Sequence, residues 1–143
     1  MKSSLLIALC FLLFSGCNSS LKVTSKIKQT VYPGLHTGKI YTNYVLNCSV
    51  HTDKTINIDS VVVLQKGKCY KVSSYLIKKE SSASYSKKIM QKGNYVLEIP
   101  LKDGSIGTDC KNQKAEISVY YKEGSVSKNM HLDNFVTERK TKR

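Results

Sequence analysis

From residue 22 onward, apolar and polar residues alternate with a period of two, and no stretch sustains the 3.6-residue period of a helix. Val23, Ile27 and Val31 are expected on one face of a first strand. Tyr44, Leu46, Cys48 and Val50 share a face of a second, with Asn47, Ser49 and His51 on the other. Ile56, Ile58, Val62 and Leu64 form a third inward row. Lys66-Gly67-Lys68 reads as a hairpin turn into Tyr70, Val72 and Leu76. Lys92-Gly93-Asn94 leads into Tyr95, Leu97 and Ile99, and Pro100, which lacks a ladder donor, is expected to end that strand. Ala115, Ile117, Val119 and Tyr121 run to a turn at Glu123-Gly124, and the return strand carries Val126, Met130 and Leu132, with Phe135 beyond a bulge. Seven or eight short amphipathic strands separated by turn residues predict an all-β, antiparallel β-sandwich, immunoglobulin-like in outline; a partly open barrel is the alternative.

The first residues break this pattern. Lys2 precedes an unbroken apolar run from Leu5 to Phe14, the length of a secretory signal core and too short to span a bilayer. Phe14-Ser15-Gly16-Cys17 then resembles a bacterial lipobox, with Phe where Leu is usual. That resemblance implies removal of residues 1–16 and acylation of Cys17; two or more acyl chains anchor a protein stably where one holds marginally. An ordinary secretory signal with a plain thiol at Cys17 is the alternative. Residues 17–21 read as the lipidated Cys and its tether, 22–137 as the sandwich and 138–143 as a frayed basic tail. No Asp follows Cys17 and no acidic cluster follows it, so the expected location is the outer membrane, lipid-anchored, on the periplasmic face.

The 143 residues suit a single domain. With 23 Lys+Arg against 10 Asp+Glu the chain has a formal net charge of +13, a field that attracts polyanions. No motif combining stacking aromatics with basic residues indicates a nucleic-acid partner. Anionic lipid or an envelope polymer is the better match. Lys22, Lys26 and Lys28, just beyond the tether, would contribute on the order of 1 kcal/mol each against an anionic surface. The plainer reading is that the lysines solubilise the wet faces of both sheets. Tyr32, Tyr41, Tyr44 and Tyr75 are candidates for an exposed amphipathic patch, or simply fill strand positions.

Of five cysteines, Cys10 departs with the signal and Cys17 is committed to lipid, leaving Cys48, Cys69 and Cys110. Cys48 lies on an apolar face and reads as a buried small hydrophobe. Cys69–Cys110 is the preferred disulfide in an exported compartment; three reduced thiols are the alternative. His36, His51 and His131 are the candidate ligands of a metal-handling alternative, but none sits at metal-ligand spacing, and His51-Thr52-Asp53 reads as a polar loop. No serine occupies a GxSxG elbow, Gly104-Ser105-Ile106-Gly107 lacks the Lys and helix of a phosphate cradle, and the acids are scattered. Neither catalysis nor a cofactor is expected.

Val31-Tyr32-Pro33-Gly34, Gly38-Lys39-Ile40-Tyr41-Thr42-Asn43-Tyr44, Ile58-Asp59-Ser60-Val61 and Gly67-Lys68 resemble segments of small lipoproteins of flavobacteria and related Bacteroidetes, as does the closing hairpin from Ala115 to Phe135. The quoted residues are turn and core residues, so the resemblance implies no activity. The expectation is a non-catalytic binding or structural accessory domain of the envelope.

Overall fold

A computed structural model describes residues 19–34, 38–72, 74–81, 85–86, 89–102, 107–110 and 112–142, with backbone only at 85, 86 and 89. The lipobox, Cys17 and His36 lie outside the described residues. Twelve strands and no helix are found among those described: β1 (Leu21–Tyr32), β2 (Tyr41–Val50), β3 (Ile56–Gln65), β4 (Lys68–Val72), β5 (Leu76–Lys79), β6 (Tyr85–Ser86), β7 (Ile89–Met90), β8 (Gly93–Leu101), β9 (Gly107–Asp109), β10 (Ile117–Glu123), β11 (Val126–Leu132) and β12 (Val136–Thr141). Eight have five residues or more; β5, β6, β7 and β9 are short additions. Sheet A has the order β12-β1-β2-β8-β5-β6 and sheet B the order β11-β10-β3-β4-β9, with β7 paired to β3. The two pack as an all-β sandwich.

The core is the alternation made solid. Tyr44, Leu46, Cys48 and Val50 from β2 and Tyr95, Leu97 and Ile99 from β8 face Ile56, Ile58, Val61 and Val63 from β3 and Ile117, Val119 and Tyr121 from β10. Fully burying one such aliphatic or aromatic side chain contributes about 1.5–3 kcal/mol. Tight turns set the registers. Lys66 and Gly67 take φ of 51° and 74°, the pair of left-handed residues a two-residue β3–β4 hairpin uses, and Gly124, at φ 59°, opens the turn between β10 and β11.

Two bulges move residues from their expected faces. In β1, Thr24 has no partner while Val23 pairs with Cys48 and Ser25 with Asn47. Beyond it Lys26 and Lys28 stand opposite the inward Leu46 and Tyr44, whereas Ile27 and Val31 share the outer face with Val45 and Tyr41. Val23, Ile27 and Val31 therefore do not share a face. In β3 the register slips at Asp59, so Val61 and Val63 point inward instead of Val62 and Leu64. The buried Tyr75 hydroxyl donates to the Ile58 carbonyl beside this bulge, at 3.0 Å. Burial, then the neighbouring Asp59 charge, raises the Tyr75 phenol pKa.

Other expectations need correction. Residues 138–141 are not a frayed tail: β12 runs to Thr141 and pairs in parallel with β1, from Ile27↔Val136 to Tyr32↔Thr141, the one parallel ladder among the described strands. Its residues are all exposed, so backbone hydrogen bonding rather than burial holds it. Pro100 does not end β8, which continues to Leu101; the β5 pairing has stopped at Glu98, leaving only one neighbouring strand there. Ile77 rather than Leu76 is buried in β5, and Tyr44 and Tyr75 belong to the core rather than to a surface patch.

Candidate functional site

The residues just before β1 fix the orientation of the chain at one end of the sandwich. Ser20 Oγ donates to Glu123 Oε1 at 2.7 Å, and the His51 backbone N–H donates to the Ser20 carbonyl at 2.8 Å. Glu123 also takes a hydrogen bond from the Lys128 ammonium. The Lys128 and Ser20 bonds, in that order, hold its carboxyl below the ordinary value. This is the end where Ser19 and Ser20 lead into β1.

The opposite end is fastened between the sheets by Lys28, brought inward by the Thr24 bulge. Its ammonium meets Glu116 Oε1 at 2.5 Å, and the fully buried Tyr44 donates its hydroxyl to the same oxygen at 2.9 Å. Burial, followed by the Glu116 hydrogen bond and charge, pushes the Tyr44 phenol far above its ordinary range. Phe135 packs edge-on against Tyr44, with centroids 5.2 Å apart, and the Lys26 ammonium lies over Phe135 while donating to the Asp133 carbonyl. Lys26 and Lys28, both half-buried, are thus engaged with Phe135, Asp133, Glu116 and Tyr44 of the domain itself.

A cleft of about 730 Å³ lies at this end on the outer face of sheet B. Topology builds it. The chain leaves β9, on the far side of β4, and must pass β4 and β3 to reach β10. That crossover is tied at three points. Cys110 is joined to Cys69 of β4 by a disulfide, with Cα atoms 5.3 Å apart. Gln113 Nε2 donates to the carbonyls of Val62, at 3.3 Å, and Ala115, at 3.0 Å. Leu64 N–H donates to the Glu116 carbonyl at 2.8 Å. Asp109, Cys110, Asn112, Gln113, Lys114 and Ala115 make one wall, and Ser118, Tyr120, His131 and Asp133 make the floor and the other wall.

The floor follows from the β10–β11 register. Ser118 and His131 are directly paired, and Ser118 Oγ and His131 Nδ1 are 2.8 Å apart, one hydrogen bond whichever partner donates. Ser118 is 0% exposed. Enclosed in this way, the Ser118 hydroxyl holds the His131 imidazole in a fixed orientation. Asp133 Oδ1 accepts the Glu116 backbone N–H at 2.8 Å. Tyr120, the outward neighbour of Ser118 along β10, is 37% exposed.

The other sequence candidates do not converge. His51 is an exposed loop residue at the chain-entry end and His131 lies at the cleft end, so the two cannot ligate one ion. Asp53, next to His51 in the loop, sits 3.9 Å from Lys92. Among the described residues no group of three His, Cys, Asp or Glu side chains is placed to hold a metal ion. Cys48 is a buried free thiol whose pKa burial pushes up to about 12. Tyr41 is flanked by Lys102 and Lys142, 5.8 and 5.5 Å from its ring centroid.

Sequence reasoning assigned no role to Ser118, Tyr120, Asn112, Asp109 or Asp133. A signal for one pair was present: counting outward from a two-residue turn at Gly124 and Ser125 sets Ser118 opposite His131. Comparison with protein-family models, with curated proteins and with solved structures returns no match.

Proposed function

We propose that the chain is a lipid-anchored envelope protein whose sandwich acts by binding, without catalysis, through the cleft over sheet B. The observation that carries this reading is a preformed cleft whose crossover wall is tied by the Cys69–Cys110 disulfide and the Gln113 side chain. Its volume is within the roughly 300–1,000 Å³ of small-ligand sites. The lipobox resemblance at Phe14-Ser15-Gly16-Cys17 supplies the anchor, with acyl chains on Cys17 in the outer membrane and the domain on the periplasmic side. The fold supports that arrangement. Five residues of β10, about 17 Å at 3.4 Å each, separate Glu123 at the chain-entry end from Ser118 in the cleft, so an anchor on Cys17 would tether the chain at the end of the sandwich remote from the cleft.

Metabolic labelling with an alkyne palmitate and detergent phase partition test the anchor. The wild type is expected to take up label and enter the detergent phase, and Cys17→Ala to do neither. An unlabelled wild type overturns the anchor. A second reading, recognition of an anionic envelope component, is favoured by Lys102 and Lys142 around Tyr41. It requires the Cys17→Ala protein to sediment with anionic vesicles and to be released by salt; failure to sediment removes the lipid form of that reading.

A further inference from the structure

We propose that the cleft takes a short neutral oligosaccharide, an inference that rests on the binding reading above. The first ground is charge. The chain carries 23 Lys+Arg against 10 Asp+Glu, yet among the described residues the cleft lining holds two carboxylates, Asp109 and Asp133, against one ammonium, Lys114. A polyanion drawn in by the overall field would meet carboxylates at the cleft itself. The second ground is the interleaving of chemistries. A sugar presents a ring face of C–H groups edged by hydroxyls that both donate and accept. The exposed Tyr120 ring and the half-buried disulfide offer apolar surface. Around them stand acceptor-only carboxylates, the Asn112 amide and the His131 imidazole, which can donate and accept. A purely apolar ligand would leave these polar groups unpaired at a cost.

The third ground is preorganisation. Ser118 fixes His131, the Glu116 backbone fixes Asp133 through Oδ1 alone, Cys69 fixes Cys110, and the Gln113 amide is tied to Val62 and Ala115. Little of this lining must be ordered when a ligand enters, so modest sugar contacts are not offset by entropy lost in the walls.

The test uses the full acylated protein in micelles of a detergent without a sugar headgroup, with maltotriose, cellotriose and chitotriose as neutral probes and a heparin tetrasaccharide as the anionic one. Saturation-transfer NMR reports binding and the His131 imidazole resonances report place. At least one neutral trisaccharide is expected to bind and to shift His131. Tyr120→Ala should weaken it about tenfold or more, and Tyr120→Phe should retain most of the affinity. Asn112→Ala, on the crossover, should weaken binding as well, and serves if circular dichroism shows that Tyr120→Ala does not fold. Val126→Ala, exposed near the chain-entry end, should leave binding unchanged. Sugar binding that ignores both Tyr120 and Asn112 overturns the site. If only the heparin probe shifts His131, the neutral class is wrong while the binding reading stands. If no probe shifts His131, the proposal and the binding reading both fall.

Discussion

Replacing Glu116 tests how the two sheets are held together at the cleft end. Its Oε1 accepts from the Tyr44 hydroxyl at 2.9 Å and meets the Lys28 ammonium at 2.5 Å, while its backbone N–H and carbonyl are bound by Asp133 and Leu64 and do not depend on the side chain. Two contributions can be separated. The ion pair is partly wet, with side-chain exposures of 30% for Lys28 and 25% for Glu116, so its share is no more than about 1 kcal/mol. The Tyr44 ring is fully buried, and stripping its hydroxyl of an acceptor there costs about 1–3 kcal/mol. Glu116→Leu, which removes both, is therefore expected to lose about 1–4 kcal/mol, whereas Glu116→Gln keeps an acceptor for Tyr44 and should lose no more than about 1 kcal/mol. Urea denaturation followed by circular dichroism reads the difference, with equal m-values showing that the unfolded state has not changed. In thermal melts each kcal/mol is worth about 4 °C for a domain of this size. Equal losses for Leu and Gln would show that charge rather than the Tyr44 hydrogen bond carries the contribution. Losses under about 0.5 kcal/mol for both, within the scatter of ordinary surface changes, would refute the bridge altogether.

Three further outcomes follow from the same structure. The Cys69–Cys110 disulfide closes a loop with a sequence separation of 41, so the double serine variant should lose up to about 4 kcal/mol on the chain-entropy estimate, and an unchanged urea midpoint under reducing conditions would count against it. Burial raises the Cys48 thiol from 9.0 to about 12, which near pH 8 leaves about 1,000-fold less thiolate than an ordinary thiol; iodoacetamide should label Cys48 only on unfolding, and rapid native labelling would contradict its placement. The Glu123 carboxyl is held below 4.5 by Lys128 and Ser20, so the stability it confers is full above 4.5 and is lost as pH falls through its lower folded value. Glu123→Gln should flatten that acid limb in urea midpoints taken from neutral pH downward, and coincident limbs would refute the assignment.

The central strands were legible because burial enforces their alternation. Every second residue of β2, from Tyr44 to Val50, and of β8, from Tyr95 to Ile99, lies in the core, and a one-residue slip would turn each set to solvent. The bulges were not legible. Thr24 and Asp59 are single polar residues in runs that continue to alternate after them, and only the partner strand reveals that the count has slipped. β12 was missed for a different reason. Val136–Thr141 buries nothing, so it carries no periodicity, and its pairing with β1 depends on backbone groups that every residue possesses.

The cleft was hidden for a related reason, and this bears on how function arises in such a chain. Its residues come from the crossover after β9 and the outward positions of β10 and β11, which alternation marks only as polar. Cys69–Cys110, chosen from thiol arithmetic, is the sequence's one long-range hint, because a disulfide from β4 to the start of the crossover holds that segment against the outer face of sheet B. The direction of β10 then does the rest. Since the strand runs from the cleft to Glu123, and Glu123 holds Ser20, the strand that places Ser118 and Tyr120 in the cleft floor would also set its distance from the proposed anchor. With the proposed anchor, a shorter tether would move the whole domain toward the bilayer without altering the cleft, whereas shifting the β10–β11 register would separate Ser118 from His131. On the reading proposed above, display and recognition are coupled by topology but independently alterable.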